Sequence, residues 1–290
     1  MFRAVDDPYL VPFDESFDIA AAATDPPKGA PGRKDLAKEL EHAVQDLQDL
    51  QRRLFANDEI SVLTVFQGMD TAGKDGTIRA VFTGVNPAGV HVVPFGPPSR
   101  EDLDHDFLWR CVRHLPERGR IGVFNRSWYE EVLIARVHPK IVEAQRLPWR
   151  PEGDALWDER LASIRDLEQH LARNGTVILK FFLNLSRKEQ RKRLEARLDD
   201  PSKRWKFDPT DLRERTLWDD YAGAYQAALR ATSRPWAPWY AIPADDKRYM
   251  RATVARLLVH TMNELSLPWP EALPEQELKS LREVLEQEER

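Results

Sequence analysis

"SVLTVFQGMDTAGKDG", residues 61–76, decides the fold. Val62, Leu63, Val65 and Phe66 are apolar and Thr64 is β-branched, so 61–66 reads as a strand buried on both faces. Gly68 and Gly73 then bracket four residues and Lys74 follows, which is the G-x-x-x-x-G-K spacing of a phosphate-binding loop placed between a strand and a helix. In such a loop the backbone N–H groups from Gly68 through Met69, Thr71, Ala72 and Gly73 converge on phosphate oxygens. The start of the next helix, with Asp75 and Gly76, adds positive potential, and Lys74 supplies a mobile point charge. The usual loop carries a Ser or Thr after the lysine to ligate Mg²⁺. Here that position holds Asp75, and a second carboxylate, Asp70, lies inside the loop.

Mg²⁺ needs only one or two protein carboxylates, with water and phosphate oxygens completing its octahedral shell. Asp70 is therefore the expected direct ligand. Asp75 is left as a ligand, an orienter of one, or a charge suited to the helix N-terminus.

Four more apolar runs follow: "VHVVPF" (90–95), "IGVF" (121–124), "TVILKFFL" (176–183) and "WYAIPA" (239–244). Charged helical stretches separate them, the pattern of a parallel sheet covered on both sides. Before the first strand, Leu36, Leu40, Val44, Leu47 and Leu54 recur at helical spacing. Residues 1–34, rich in Pro, Ala and Gly, show no sustained period and are expected to form an extended arm. About fifty charged residues between the fourth and fifth runs, broken at "DDPSKRWKFDP", are where a lid is expected. The acidic stretch 271–290 is expected to be a solvated helix.

At 290 residues, with 42% hydrophobic and 31% charged residues, the chain has an ordinary soluble composition with one three-layer core. No apolar run approaches the roughly 18 residues needed to span a bilayer. No signal peptide is evident, so a cytoplasmic protein without a membrane partner is expected. The single cysteine, Cys111, excludes an internal disulfide and a Cys-rich metal site and reads as a small buried residue. A net charge of −5 speaks against a nucleic-acid partner, yet residues 187–206 hold nine Lys or Arg against four Asp or Glu, enough for a local polyanion site.

The third strand runs into "NRSWYEEVL". Asn125 stands where a Walker B acid would, and Arg126 follows it. Arg126 can fork onto phosphoryl oxygens, with an ion pair to Glu130 as the plainer reading. Glu130 and Glu131 are read as supports of Arg126, as water-mediated metal ligands, or as solvated helix residues. Phe95, Pro97 and Trp109 are candidates to stack on a base, with core packing at least as good an account.

Together "FQGMDTAGKDGTI", "FGPPSREDLDHDFLWR", "FNRSWYEEVL", "DDPSKRWKFDPTDLRERTLWDDYAGAY" and "RPWAPWYAIPADDKRYMR" resemble the polyphosphate kinase 2 family from about residue 35 to 265. The resemblance implies a three-layer α/β/α P-loop kinase fold similar to thymidylate kinase, within 35–270, with a five-stranded parallel sheet and a helical lid at about 187–215. It implies phosphoryl transfer between inorganic polyphosphate and adenine or guanine nucleotides, dependence on Mg²⁺ with Mn²⁺ as a substitute, and a homo-oligomer, dimer or tetramer. By position it places catalytic roles on Asp70, Lys74 and Arg126, and polyphosphate contacts on Arg187, Arg191, Lys203, Arg204 and Lys206. Many members read "DRSWYN" here. The Asn125 form is similar to the class III subgroup that accepts both AMP and ADP; it removes a carboxylate ligand at position 125 and leaves Asn125 and Asp75 as candidates for outer support of the metal. Lys28, Arg33 and Lys34 of the arm are weaker candidates for a polyphosphate channel. The rival readings are an ATP-dependent nucleoside monophosphate kinase of the same fold and a GTPase-type switch. The latter needs an [NT]-K-x-D segment that this sequence lacks.

Overall fold

Five apolar runs fold into one parallel sheet: β1 (Ser61–Gln67), β2 (Val90–Pro94), β3 (Ile121–Asn125), β4 (Thr176–Asn184) and β5 (Trp239–Pro243), ordered β2-β3-β1-β4-β5. The computed structural model describes residues 2–202 and 204–288. Each strand lies within two residues of its expected position. The alternation of side chains along β1 explains the three layers. Val62 and Phe66 face one side, against α1 (Arg33–Asn57) and α6 (Lys247–Asn263), in a core with Leu47, Leu54, Val254 and Leu258. Leu63 and Val65 face the other, against α3 (Ala155–Arg173) and α5 (Trp218–Thr232), with Phe124, Trp128, Ile164 and Leu229.

The chain leaves β1 toward β2 and β3 on one side and later returns to β4 and β5 on the other. The C-terminal end of β1 is therefore the switch point where a crevice opens. There α2 (Lys74–Val81) begins, and register sets Asn125 of β3 beside Phe66 of β1. The lid rises from the end of β4 as α4 (Arg187–Asp199). It breaks at Pro201, and resumes as a short helix, Thr210–Glu214, behind Pro209. Neither proline can continue the preceding helix, and both sit where the chain turns.

The N-terminal residues hold no long helix, yet they are tightly attached. The amide of Val11 donates to Trp239 O at 2.9 Å and that of Ala241 to Tyr9 O at 2.8 Å, so this segment closes the open edge of β5. Val11 and Phe17 are buried beneath it. The C-terminal helix α7 (Glu275–Glu288) presents exposed Leu281, Val284 and Leu285. Among the described residues, no helix is long and apolar enough to cross a membrane.

Candidate active site

The phosphate loop is built around positions that only certain residues tolerate. A Cβ at Gly68 would stand 2.9 Å from the Leu183 carbonyl oxygen, and Gly73 has φ +105°. Thr71, also left-handed at φ +66°, keeps a buried hydroxyl oxygen without a partner. Such strain in a non-glycine residue persists where surroundings over-determine it. Met69 and Ala72 turn their side chains into the two core layers, and neither lines the cleft.

Lys74 is buried, and its ammonium donates to the Gly68 carbonyl at 2.7 Å. Burial pushes its pKa down and the nearby Arg126 pushes the same way, against Asp70 and Glu130. Arg126, at φ +67°, reaches Asp70 Oδ1 at 3.3 Å and Glu130 Oε2 at 3.7 Å. Burial opposes its charge, but the carboxylates of Glu130 and Asp70 prevail and raise its pKa. Arg126 therefore pairs with Glu130, the plainer reading, and also faces the loop through Asp70. Gln67 Nε2 donates to Glu130 Oε1 at 2.9 Å, fixing that carboxylate. Glu131 points away and is buried beside Arg160, 3.4 Å off. Asn125 Nδ2 donates to Asp75 Oδ1 at 2.7 Å, so these two residues hold each other at the mouth of the loop.

Asp70, Asp75, Lys74, Arg126 and Asn125 line one cleft of about 850 Å³. Its far wall is basic: Arg79 of α2, Lys192, Arg193 and Arg197 of α4, and Lys247, Arg248 and Arg251 of α6. Arg251 has its pKa lowered by burial and then by Arg79, Arg193 and Arg248, the cations that surround it, while Glu189 and Asp211 on the same wall pair with Arg193 and Arg197. A slightly larger hollow, about 900 Å³, lies among Phe2, Ile60, Thr176 and His260, away from the phosphate loop and from the cations that would receive an anion.

The lid contacts expected from sequence divide by helix face. Arg187 is exposed, Arg191 is spent on Glu195 at 2.7 Å, and Arg204 bonds the Leu198 carbonyl. None of these three lines the cleft. Lys203 lies outside the described residues, as does the side chain of Lys206. The inward face is carried by residues one or two positions on. Arg193 is the key member: its guanidinium bonds the carbonyls of Thr71, Ala72, Ala244 and Asp245, and its Nε pairs with Glu189 at 3.0 Å. It staples the first turns of α4 to the phosphate loop. Lys28, Arg33 and Lys34 are exposed and do not reach the cleft.

Phe95 lines the cleft but packs edge-on against Phe124, with centroids 5.0 Å apart. Trp109 stacks on His105 instead, and Pro97 is exposed. A recess of about 80 Å³ that shares Asp70 and Arg126 with the cleft is lined by Leu133, Trp218, Tyr221 and Tyr225. These aromatic residues at i, i+3 and i+7 of α5 were legible as one helix face, but not as a face turned toward the loop.

Among the described residues no three or more His, Cys, Asp or Glu side chains cluster to hold a metal ion. Two carboxylates beside a phosphate cradle do suit Mg²⁺, which takes few protein ligands and completes its shell with water and phosphate.

This geometry meets close relatives. A sequence profile described as Polyphosphate kinase 2 (PPK2) matches residues 32–267. The "ADP-polyphosphate phosphotransferase" of Rhodopseudomonas palustris is 53% identical over 249 residues, 85% of this chain and 86% of that protein. The "AMP/ADP-polyphosphate phosphotransferase" of Meiothermus ruber is 44% identical over 264 residues, 91% and 95% of the two chains. The crystal structure of Polyphosphate Kinase 2 from Arthrobacter aurescens TC1 superposes with a TM-score of 0.85 at 38% identity, covering 97% of this chain and 99% of that one. A phosphate loop at the switch point of a five-stranded parallel sheet, joined to these matches across most of the sequence, places the chain in the polyphosphate kinase 2 family.

Proposed function

We propose that this protein transfers the terminal phosphoryl group of inorganic polyphosphate to AMP and to ADP. The observation that carries the reading is the cleft itself, in which a phosphate loop and Arg126 face a wall of cations from three helices. A polyanion without a base to read is recognised by charge, and a wall that carries several cations can meet several phosphates at once.

An oxygen of the acceptor phosphate attacks the terminal phosphorus of the donor. The bridging P–O bond breaks, and the shortened polyphosphate leaves with that oxygen. The acceptor is already ionised near neutral pH, so no strong base is required. Lys74 leaves its loop carbonyls for the phosphate that enters, and the loop amides position the group in flight. Arg126 exchanges Asp70 for phosphoryl oxygens and neutralises charge that grows on them. Asp70, with Asp75 and Asn125 behind it, would hold Mg²⁺, which when bound screens the donor and acceptor charges from each other. The aromatic recess beside Arg126 receives the nucleoside. Its present volume of about 80 Å³ is narrow for a purine, so acceptor entry requires the lid segment ending at Leu217 to move outward.

The test is direct. Purified protein is given AMP or ADP, Mg²⁺, and either long-chain polyphosphate or ATP. ADP from AMP and ATP from ADP are expected with polyphosphate. Formation of ADP from AMP with ATP alone would overturn the reading in favour of an ordinary monophosphate kinase.

A further inference from the structure

Behind the cleft, in the apolar layer between the sheet and its helices, sits an ion pair that the reaction above does not touch. Lys180 of β4 and Glu168 of α3 are 0% and 1% exposed and lie 2.5 Å apart. All three ammonium protons of Lys180 have acceptors, because Nζ also lies 2.9 Å from Tyr129 Oη and 2.9 Å from the Thr232 carbonyl. Tyr129 Oη is in turn 2.8 Å from Glu168 Oε1 and 2.8 Å from Thr232 Oγ1, and Trp239 Nε1 donates to that Thr232 oxygen at 2.9 Å. The network joins β4, β5, α3, α5 and the 3₁₀ turn Trp128–Val132.

A buried ion pair is weak evidence of stabilisation. Well-packed apolar residues of similar volume commonly do as well or better, whereas a buried pair can select one arrangement of the groups around it. The group selected here is the turn that carries Tyr129. Its side chain is gripped from behind, while the next residue, Glu130, lines the recess beside the cleft and is gripped in front by Gln67 and Arg126. Ser127 Oγ accepts from the Tyr129 amide at 3.2 Å, and Arg126 just before it is held in a left-handed conformation. A turn fixed on both sides leaves Arg126 and Glu130 little freedom.

We propose that Lys180, Glu168 and Tyr129 form a rear clamp that positions Arg126 and Glu130 for phosphoryl transfer, without touching substrate. The clamp rests on the role given to Arg126 under the proposed function. Its expected signature is a loss in kcat with binding preserved, because a misplaced cation fails in the transition state before it fails to attract an anion.

Two variants test it. Tyr129→Phe removes one hydroxyl and keeps the ring. Lys180→Met with Glu168→Leu removes both charges together, so neither is left buried and alone. Each is assayed for thermal midpoint and for kcat and KM with ADP and polyphosphate. The double variant is expected to melt within a few degrees of the parent. In both, kcat should fall about 10- to 100-fold, the scale for a reacting group displaced by about an ångström, with each KM changed less than about threefold. In an Arg126→Lys background, Tyr129→Phe should add little further loss, since the two would act as one unit. Folded variants with parental kcat would overturn the clamp, as would Tyr129→Phe losses that multiply fully with Arg126→Lys. If the double variant does not fold, Tyr129→Phe decides alone. Parent protein inactive with polyphosphate would instead sink the proposed function, which separates the two failures.

Discussion

Lys74 and Lys180 are both buried lysines, one just past the C-terminal end of β1 and one in the middle of β4, and they are held in opposite ways. Lys180 has a carboxylate, a phenol and a carbonyl around its ammonium, and nothing is left for a ligand. Lys74 has loop carbonyls around its ammonium, and burial depresses its pKa; Arg126 pushes the same way, and together they outweigh the opposing pulls of Asp70, Glu130 and Asp75. A lysine whose charge is compensated by the protein locks structure. One whose charge is compensated poorly waits for an anion to supply what is missing, and a phosphate entering the loop would raise its pKa again. The same residue type, buried in both places, can thus serve the fold in one and the substrate in the other.

The sharpest way to break this contrast is Lys74→Met. Loss of a positioned cation from the transferring phosphoryl group is expected to cost about 10²- to 10³-fold in kcat/KM. The thermal midpoint should stay or rise, because a poorly compensated buried charge is removed. Steady-state kinetics and calorimetry on one preparation check both halves. A fall of several degrees with activity retained would make Lys74 a structural residue like Lys180.

Asp70 probes the other charge in the loop. If it serves a cation as well as tethering Arg126, Asp70→Asn should raise the Mg²⁺ concentration for half-maximal turnover by at least about tenfold. Its fold should be intact, since Asp70 is partly exposed. Turnover titrated with Mg²⁺ at fixed polyphosphate measures this. A parental Mg²⁺ dependence would leave Asp70 only its ion pair with Arg126.

The contrast between the lysines also explains what the sequence made legible. The sheet was readable because strands buried on both faces are written as unbroken apolar runs, and the loop because its glycines answer a backbone need. The lysine inside "TVILKFFL" was itself a signal, an ammonium in the middle of a fully apolar strand. Its meaning was hidden because Glu168, Tyr129 and Thr232 come from three other elements. The attachment of the N-terminal segment to β5 was invisible for a different reason: its pairing runs through backbone hydrogen bonds around Tyr9 and Val11, and the side chains that reinforce it, such as Tyr240 and Arg256, lie more than 200 residues away. The basic lid was visible as composition, but the face it turns inward depends on where Arg193 finds its carbonyl acceptors, and composition does not carry that.

The lid offers a third kind of cation, neither locked nor poised but solvated, and it yields the smallest expected effect. Arg191 and Lys192 are neighbours in α4 with side chains 72% and 78% exposed. Arg191 pairs with Glu195 on the outer face, whereas Lys192, 3.4 Å from Glu189, lines the cleft. Exposed charges act through a screened field, so removing either should leave kcat unchanged. A cation that meets the polyanion still betrays itself in salt. By analogy with single-stranded nucleic acid, each lost contact lowers the slope of log affinity against log salt by about 0.7. Lys192→Gln should show that reduction in polyphosphate binding measured from 50 mM to 200 mM salt, a range chosen to resolve it. Arg191→Gln should keep the parental slope. Equal slopes for both variants would mean that the two faces of the lid helix serve polyphosphate alike, and that the partition seen in this structure does not persist once the lid has closed on its substrate.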